Sequence, residues 1–207
     1  MLFVLKLCLT PLLIGGVALA GRRWGPLVSG FLIGLPLTTG PVSFFLAVEQ
    51  GTAFATQAAV GGLLGQVSIC LFCLAYSRSA PRLSWPLSTL CASLAFLLST
   101  ALLNLGHWTI WAALALLLLA IGSILRIMPK GMPSAIALKP PRWDLPARML
   151  VATGFVLVIT AVANQLGPQL SGLIAPFPVF GLVFAAFAHA QQGSEACAVV
   201  LRGIVLG

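Results

Sequence analysis

The chain has very little charge and almost no acids. Of its 207 residues, 7% are charged and 60% are apolar, and the acids are Glu49, Asp144 and Glu195. A soluble domain carries roughly 25% charged residues, so this chain lacks the polar surface that a water-soluble core needs. Long stretches without charge instead predict helices that cross a bilayer, each of about 20 apolar residues.

The chain also lacks the alternation of apolar and polar residues that a transmembrane β-barrel would show over about 10 residues. Residues 111–125, WAALALLLLAIGSIL, are almost uniformly apolar. The sequence therefore predicts an all-α integral membrane protein.

Catalytic motifs are missing as well. The sequence has no Walker loop, no HExxH and no Ser-His-Asp pattern. Three acids leave little for general acid–base chemistry, so we expect no enzyme, no cofactor and no metal site. The remaining enzyme alternative is a lipid-acting enzyme that uses His189.

The thiols give no framework for disulfides or metals. The pair Cys70 and Cys73 forms a CxxC whose helical spacing puts both thiols on one face. A redox pair or metal site would need water access and further ligands, which the sequence does not show. We interpret these cysteines as small packing residues.

The excess of basic residues, a net charge of +8, lies between the apolar stretches rather than in a nucleic-acid motif. We expect about eight transmembrane helices, at 2–20, 25–48, 52–76, 83–104, 107–128, 147–165, 167–190 and 194–207. Lys and Arg cluster after the first, third and fifth. By the positive-inside rule this predicts an N-terminus outside the cytoplasm and a cytoplasmic linker at 129–147, with no nucleic-acid partner.

The sequence contains an internal repeat. When residues 25–65 are aligned without a gap on 167–207, 11 of 41 positions are identical, and most of these are Gly or Pro. Chance would give about three or four identities in this composition. A fixed offset of this kind indicates duplication.

The repeat sets the predicted domain organisation. Repeat 1 covers 1–76, connecting helices and the linker cover 77–142, and repeat 2 covers 143–207. Five helices separate equivalent positions, so the two copies would have inverted topology, as in secondary transporters. The first apolar stretch could be a signal peptide, but the repeat favours a retained helix. The last helix has only 14 residues, so we expect either that the natural chain continues past Gly207 or that this helix is half-inserted.

Prolines interrupt the second helix of each copy near its middle. Broken helices at matching positions are the best sequence indication of a binding site in a transporter; two kinked helices that simply pack are the alternative. The expected substrate path is lined by Pro36, Thr38, Thr39, Gly40, Pro41 and Ser43 in the first copy, and by Pro176, Phe177, Pro178 and Phe180 in the second.

Three polar residues are further candidates for a polar or proton-coupled role. Glu49 could act there, but a solvated turn is favoured; His189 is a candidate lining residue; Glu195 suits a helix N-terminus. Glycines four residues apart let helices approach closely. We expect helix packing at Gly61, Gly65, Gly203 and Gly207.

The series 172–180, GLIAPFPVF, followed by Gly193-Ser194-Glu195-Ala196, resembles the GlpM-like family of small bacterial inner-membrane proteins. The first copy matches more weakly, with Leu35-Pro36 in place of Phe-Pro. The resemblance covers the first three helices of each half. It implies a bacterial inner-membrane location and two fused family units, and supplies no catalytic residues.

Together these patterns predict a permease for a small molecule or a lipid-linked intermediate. The alternative is a non-transporting membrane subunit of a larger complex. The expected partners are the lipid bilayer and an unknown substrate, and a membrane-protein partner or a homodimer stays open.

Overall fold

The computed structural model describes residues 2–35, 52–129, 131, 141, 143–158 and 176–207. These residues form eight helices. They are α1 (Leu2–Trp24), α2 (Pro26–Gly34), α3 (Thr52–Ser79), α4 (Trp85–Asn104), α5 (Ile110–Ile127), α6 (144–158), α7 (Val179–Gln192) and α8 (Ser194–Leu206). The predicted all-α fold is therefore confirmed for the described part of the chain.

Local sequence explains several helix ends. Gly25 joins α1 to α2 with a φ of 95°, a conformation that glycine adopts without a Cβ penalty, and Pro26 follows at the first helical position. Gly193, whose φ is 88°, likewise joins α7 to α8 with a positive φ. At the start of α5, the Thr109 hydroxyl accepts a hydrogen bond from the Ala112 amide at 3.3 Å.

The second helix of each repeat is interrupted near the predicted position. α2 ends at Gly34, and Leu35 is extended with a ψ of 135°. Pro36 explains this, because a residue before proline is pushed out of the helical region. In the second copy, Pro176–Pro178 is non-helical and α7 begins only at Val179. Neither 25–48 nor 167–190 is therefore one unbroken helix.

Three helical segments are long and apolar enough to cross a membrane. They are residues Thr56–Ser79 of α3, the whole of α4, and the whole of α5. The described residues thus support three candidate spans and not the expected eight. The breaks account for part of the difference, because they leave α2 with 9 residues and α7 with 14. α8 has 13.

The outer faces of α4 and α5 are apolar. Leu98 and Leu102 of α4 are 64% and 67% exposed, and Trp111 of α5 is 77% exposed. Exposed apolar surface of this extent is costly in water and is the normal outer surface of a helix in lipid. The predicted membrane class therefore fits the surface of these two helices.

The core is centred on α3, which packs against α4, α5 and α8. α8 in turn packs against α2 and α7. The thiols of Cys70, Cys73 and Cys197 are buried and unpaired. They fill the core as small apolar groups, in the way the sequence predicts.

Contacts between distant segments bring the basic joints to one end of the molecule. The Arg78 guanidinium donates to the Ile127 carbonyl at 3.2 Å, which joins the ends of α3 and α5. Arg22, at the end of α1, forms an ion pair with Asp144 at the start of α6, at 3.3 Å. The end of α7 links the two contacts, because Gln191 donates to Asp144 at 2.8 Å and the His189 ring packs against Tyr76, near the end of α3, at 5.9 Å. We call this end of the molecule the basic end.

Candidate functional site

Helices α2 and α8 cross in parallel and contact each other through glycines. A Cβ at Gly30 would overlap the Val200 carbonyl oxygen and would lie 2.9 Å from the Gly203 Cα. One turn further, a Cβ at Gly34 would overlap the Ile204 carbonyl oxygen and would lie 3.0 Å from the Gly207 Cα. Only glycine allows the two backbones to approach this closely.

The internal repeat relates this crossing to a second contact. The offset of 142 residues carries Gly34 onto Pro176 and Gly207 onto Gly65. A Cβ at Gly65 would lie 3.1 Å from the Pro176 Cβ. In the first contact, the break of copy 1 at Gly34 meets the third helix of copy 2 at Gly207. In the second contact, the break of copy 2 at Pro176 meets the third helix of copy 1 at Gly65. A two-fold relation between the copies requires such a pair of contacts.

Gly61 does not share this close packing among the described residues. A Cβ placed there would meet no described atom within 4 Å. Its repeat equivalent is Gly203, whose contact Gly30 corresponds to Gly172. Gly172 lies outside the described residues.

A side chain of α3 donates a hydrogen bond to a backbone carbonyl at the first helix break. The Gln66 amide donates to the Gly34 carbonyl at 3.3 Å. Gly34 lies eight residues after the first residue of α2 and so about 12 Å along its axis. Gln66 is near the middle of the span Thr56–Ser79. In a bilayer crossed by Thr56–Ser79 and entered by α2 at Pro26, both positions would lie near the centre of a hydrocarbon core about 30 Å thick. Gln66 was not among the residues expected from the sequence, although it follows Gly65 directly as a polar residue in an apolar span.

The expected path residues of the second copy lie at the start of α7. Pro178 is the N-cap of α7, and its carbonyl accepts from the Leu182 amide at 2.8 Å. The Phe177 ring packs edge-on against Phe96 at 5.3 Å and against Phe72 at 6.5 Å between centroids. Phe177 thus belongs to an aromatic cluster of α3 and α4, whereas Phe180 is partly exposed.

The path residues of the first copy are outside the described part of the chain. They are Pro36, Thr38, Thr39, Gly40, Pro41 and Ser43. Glu49 is outside it too. Their proposed roles stay predictions.

His189 and Glu195 lie at the basic end, on either side of Gly193. The His189 ring packs edge-on against Tyr76 at 5.9 Å, and its buried Nδ1 has no hydrogen-bond partner in the part of the chain that the structure describes. Glu195 is in the first turn of α8, where a carboxylate interacts favourably with the positive end of the helix dipole.

Asp144 is the centre of an ion cluster that the sequence analysis did not single out. Its carboxylate accepts hydrogen bonds from Arg148 Nε at 2.9 Å, from Gln191 Nε2 at 2.8 Å and from Arg22 at 3.3 Å. Asp144 is 2% exposed and Arg148 is 7% exposed. The spacing of four residues between Asp144 and Arg148 is the one sequence signal that could have found this pair.

A cavity of about 210 Å³ opens beside this cluster, and we call it the Asp144 cavity. It lies between the end of α1, the start of α2 and α6, and α7 and α8. Its lining residues are Ala18, Gly21, Arg22, Gly25, Pro26, Ser29, Asp144, Arg148, Phe184, Ala188, Gln192 and Val200. A larger hollow of about 460 Å³ is lined by five residues of α6, all apolar or glycine, and offers no comparable chemistry.

Arg148 is held at the cavity by aromatic rings as well as by Asp144. Its guanidinium carbon lies 5.0 Å from the ring centroids of both Phe184 and Phe187. Such cation–π contacts favour a partly desolvated arginine. Arg148 is also one of the residues that line the cavity.

The described residues contain no group of three or more His, Cys, Asp or Glu side chains that could hold a metal ion. In comparisons with known proteins, no family model, no curated protein and no solved structure matches this chain. The resemblance to the GlpM-like family stays a prediction.

Proposed function

We propose that the protein is a multi-pass permease of the bacterial inner membrane for a small molecule or a lipid-linked intermediate. In this proposal two inverted repeats related to the GlpM-like family form about eight membrane segments, some of them broken helices. The N-terminus lies outside the cytoplasm, the basic end inside, and no catalytic step takes place.

One observation carries the proposal. The contact between Gly34 and Gly207 recurs, with the copies exchanged, between Pro176 and Gly65. Both contacts lie at helix breaks, and the first is near the expected bilayer centre. Paired breaks at a repeat interface are where secondary transporters hold their substrates, and irregular backbone at that depth needs a protein or aqueous environment.

A second candidate, a non-transporting membrane subunit, is favoured by a different observation. Phe177 occupies the second break and packs into the aromatic cluster with Phe72 and Phe96. A break filled by a packed ring would serve the fold rather than a path.

Access from both sides of the membrane separates the two functions without knowledge of the substrate. Single-cysteine variants Thr39→Cys and Phe180→Cys, made in a chain without native cysteines, would be reconstituted in oriented vesicles. They would be treated with a membrane-impermeant maleimide from either side. A permease exposes these positions to each side in turn, so we expect labelling from both.

The lipid-facing variant Leu118→Cys is the control, because this side chain is 62% exposed on the outer face of α5. It should react from neither side. Labelling of both path variants from one side only, or from neither, would contradict the permease and leave the structural subunit.

A further inference from the structure

The Asp144 cavity has more positive than negative charge. In the part of the chain that the structure describes, two guanidinium groups, those of Arg22 and Arg148, share the single carboxylate of Asp144. The cluster therefore has one positive charge in excess. Arg148 and Asp144 are buried, whereas one-third of the Arg22 side chain is exposed. An uncompensated charge in a partly buried site is costly, and a bound anion would reduce this cost.

Arg148 also has donors to spare. Within the described ranges its one hydrogen bond runs from Nε to Asp144, and the group has five N–H donors in a planar fork. Phe184 and Phe187 cover the guanidinium without using these donors. The fork geometry matches a carboxylate or a phosphate, which can accept two parallel hydrogen bonds.

The rest of the wall suits a small anion. Ser29 is part of the lining, but its hydroxyl donates to the Pro26 carbonyl at 2.8 Å and is not a free donor for an anion. The favourable part of the wall is the start of α2 at Gly25 and Pro26, where the positive end of the helix dipole lies. At about 30 Å³ for each water molecule in the liquid, a volume of 210 Å³ corresponds to about seven waters. This is enough for one phosphate or carboxylate group with a short substituent.

We propose that the Asp144 cavity binds one singly charged oxyanion group, a carboxylate or a phosphate, through Arg148 and Arg22. Asp144 is then a positioning residue that orients both arginines. Its negative charge also weakens the binding of the anion, so that the anion can dissociate. The inference rests on the proposed function in one respect, namely that the bound anion is the group by which the permease selects its substrate at the basic end.

Binding is measured on the purified full chain in phosphatidylcholine nanodiscs, by equilibrium dialysis with radiolabelled inorganic phosphate and acetate. The same discs with added phosphatidylglycerol test a lipid headgroup as the source, by native mass spectrometry of retained lipid. The variants are Arg22→Gln, Arg148→Lys and Asp144→Asn. Arg23→Gln is the matched control, because Arg23 is the exposed neighbour and contacts Trp24 instead.

We expect saturable anion binding in the parent and an affinity about tenfold weaker in each arginine variant. Arg22→Gln loses one charge-assisted contact, and Arg148→Lys loses the planar fork. Asp144→Asn should bind the anion more tightly than the parent, because the excess positive charge of the cluster rises. A purely structural role of Asp144 predicts no such gain. Arg22 is one-third exposed, so its variant remains informative even if Arg148→Lys does not fold.

Binding of phosphate or acetate in phosphatidylcholine identifies a free solute, and retention of phosphatidylglycerol alone identifies a headgroup. Absence of both, or equal losses in Arg22→Gln and Arg23→Gln, would overturn the site. Nanodiscs have no second compartment, so binding is independent of transport. A chain that binds the anion but fails the two-sided labelling test keeps the site and loses the permease.

Discussion

Single residues divide into those that let helices meet and those that carry polar chemistry. Gly30 and Gly203 are needed because their neighbours across the α2–α8 crossing are backbone atoms, which cannot move aside as a side-chain tip can. Gln66 and Asp144 are polar groups whose partners come from other helices. The first kind is recognisable as a spacing in the sequence, whereas the partners of the second kind are not.

The glycine crossing predicts a strong effect of one added side chain. Gly203→Leu should destabilise the fold by about 1–3 kcal/mol or more, the usual cost of overpacking, because α2 would have to move away from α8. Thermal unfolding in detergent, followed by tryptophan fluorescence, measures this.

Gly122→Leu in α5 is the matched control, because a Cβ at Gly122 meets no described atom within 4 Å. Its unfolding temperature should stay near that of the parent. Equal losses in the two variants would contradict the tight crossing.

At the scale of elements, the helix breaks occur at equivalent positions of the two repeats. Leu35 and Phe177 are equivalent positions, each directly before a proline, and neither is helical. Proline chemistry decides this locally. Which helix covers each break is a tertiary matter: α8 covers the first and α3 the second.

The second contact predicts a specific crosslink. In a chain without native cysteines, Gly65→Cys with Pro176→Cys should form an intramolecular disulfide, because the Cβ separation of 3.1 Å is near the usual range of about 3.5–4.5 Å. Mass spectrometry after mild oxidation detects it.

Gly62→Cys with Pro176→Cys serves as the control, since a Cβ at Gly62 meets no described atom within 4 Å. If this pair crosslinks as fast as the first, or the first does not crosslink at all, the exchange of contacts between the repeats is wrong.

At the scale of the whole molecule, contacts between distant segments bring the basic joints to the basic end. Arg22 contacts Asp144, and Arg78 contacts Ile127, although these pairs are 122 and 49 residues apart. The joints that positive-inside statistics assign to the cytoplasm therefore lie together. The apolar faces of α4 and α5 complete a surface suited to lipid.

This arrangement predicts the sidedness of labelling. Single cysteines at Arg23, Arg82 and Trp143, all exposed at the basic end, should react with an impermeant reagent from the cytoplasmic side. His107→Cys, in the joint between α4 and α5, should react only from the other side. Reaction of Arg82→Cys and Trp143→Cys from opposite sides would exclude the two-fold arrangement.

The sequence by itself determined the membrane class, the helix breaks and the repeat, because apolar runs, prolines and glycines act on their own stretch of chain. It did not determine how many segments are continuous helices, and the described residues support three candidate spans rather than eight. The ion cluster was decided only by the tertiary structure. Asp144 meets Arg22 and Gln191 across 122 and 47 residues, and a charge pair of this kind forms only after helix packing has brought its helix ends together.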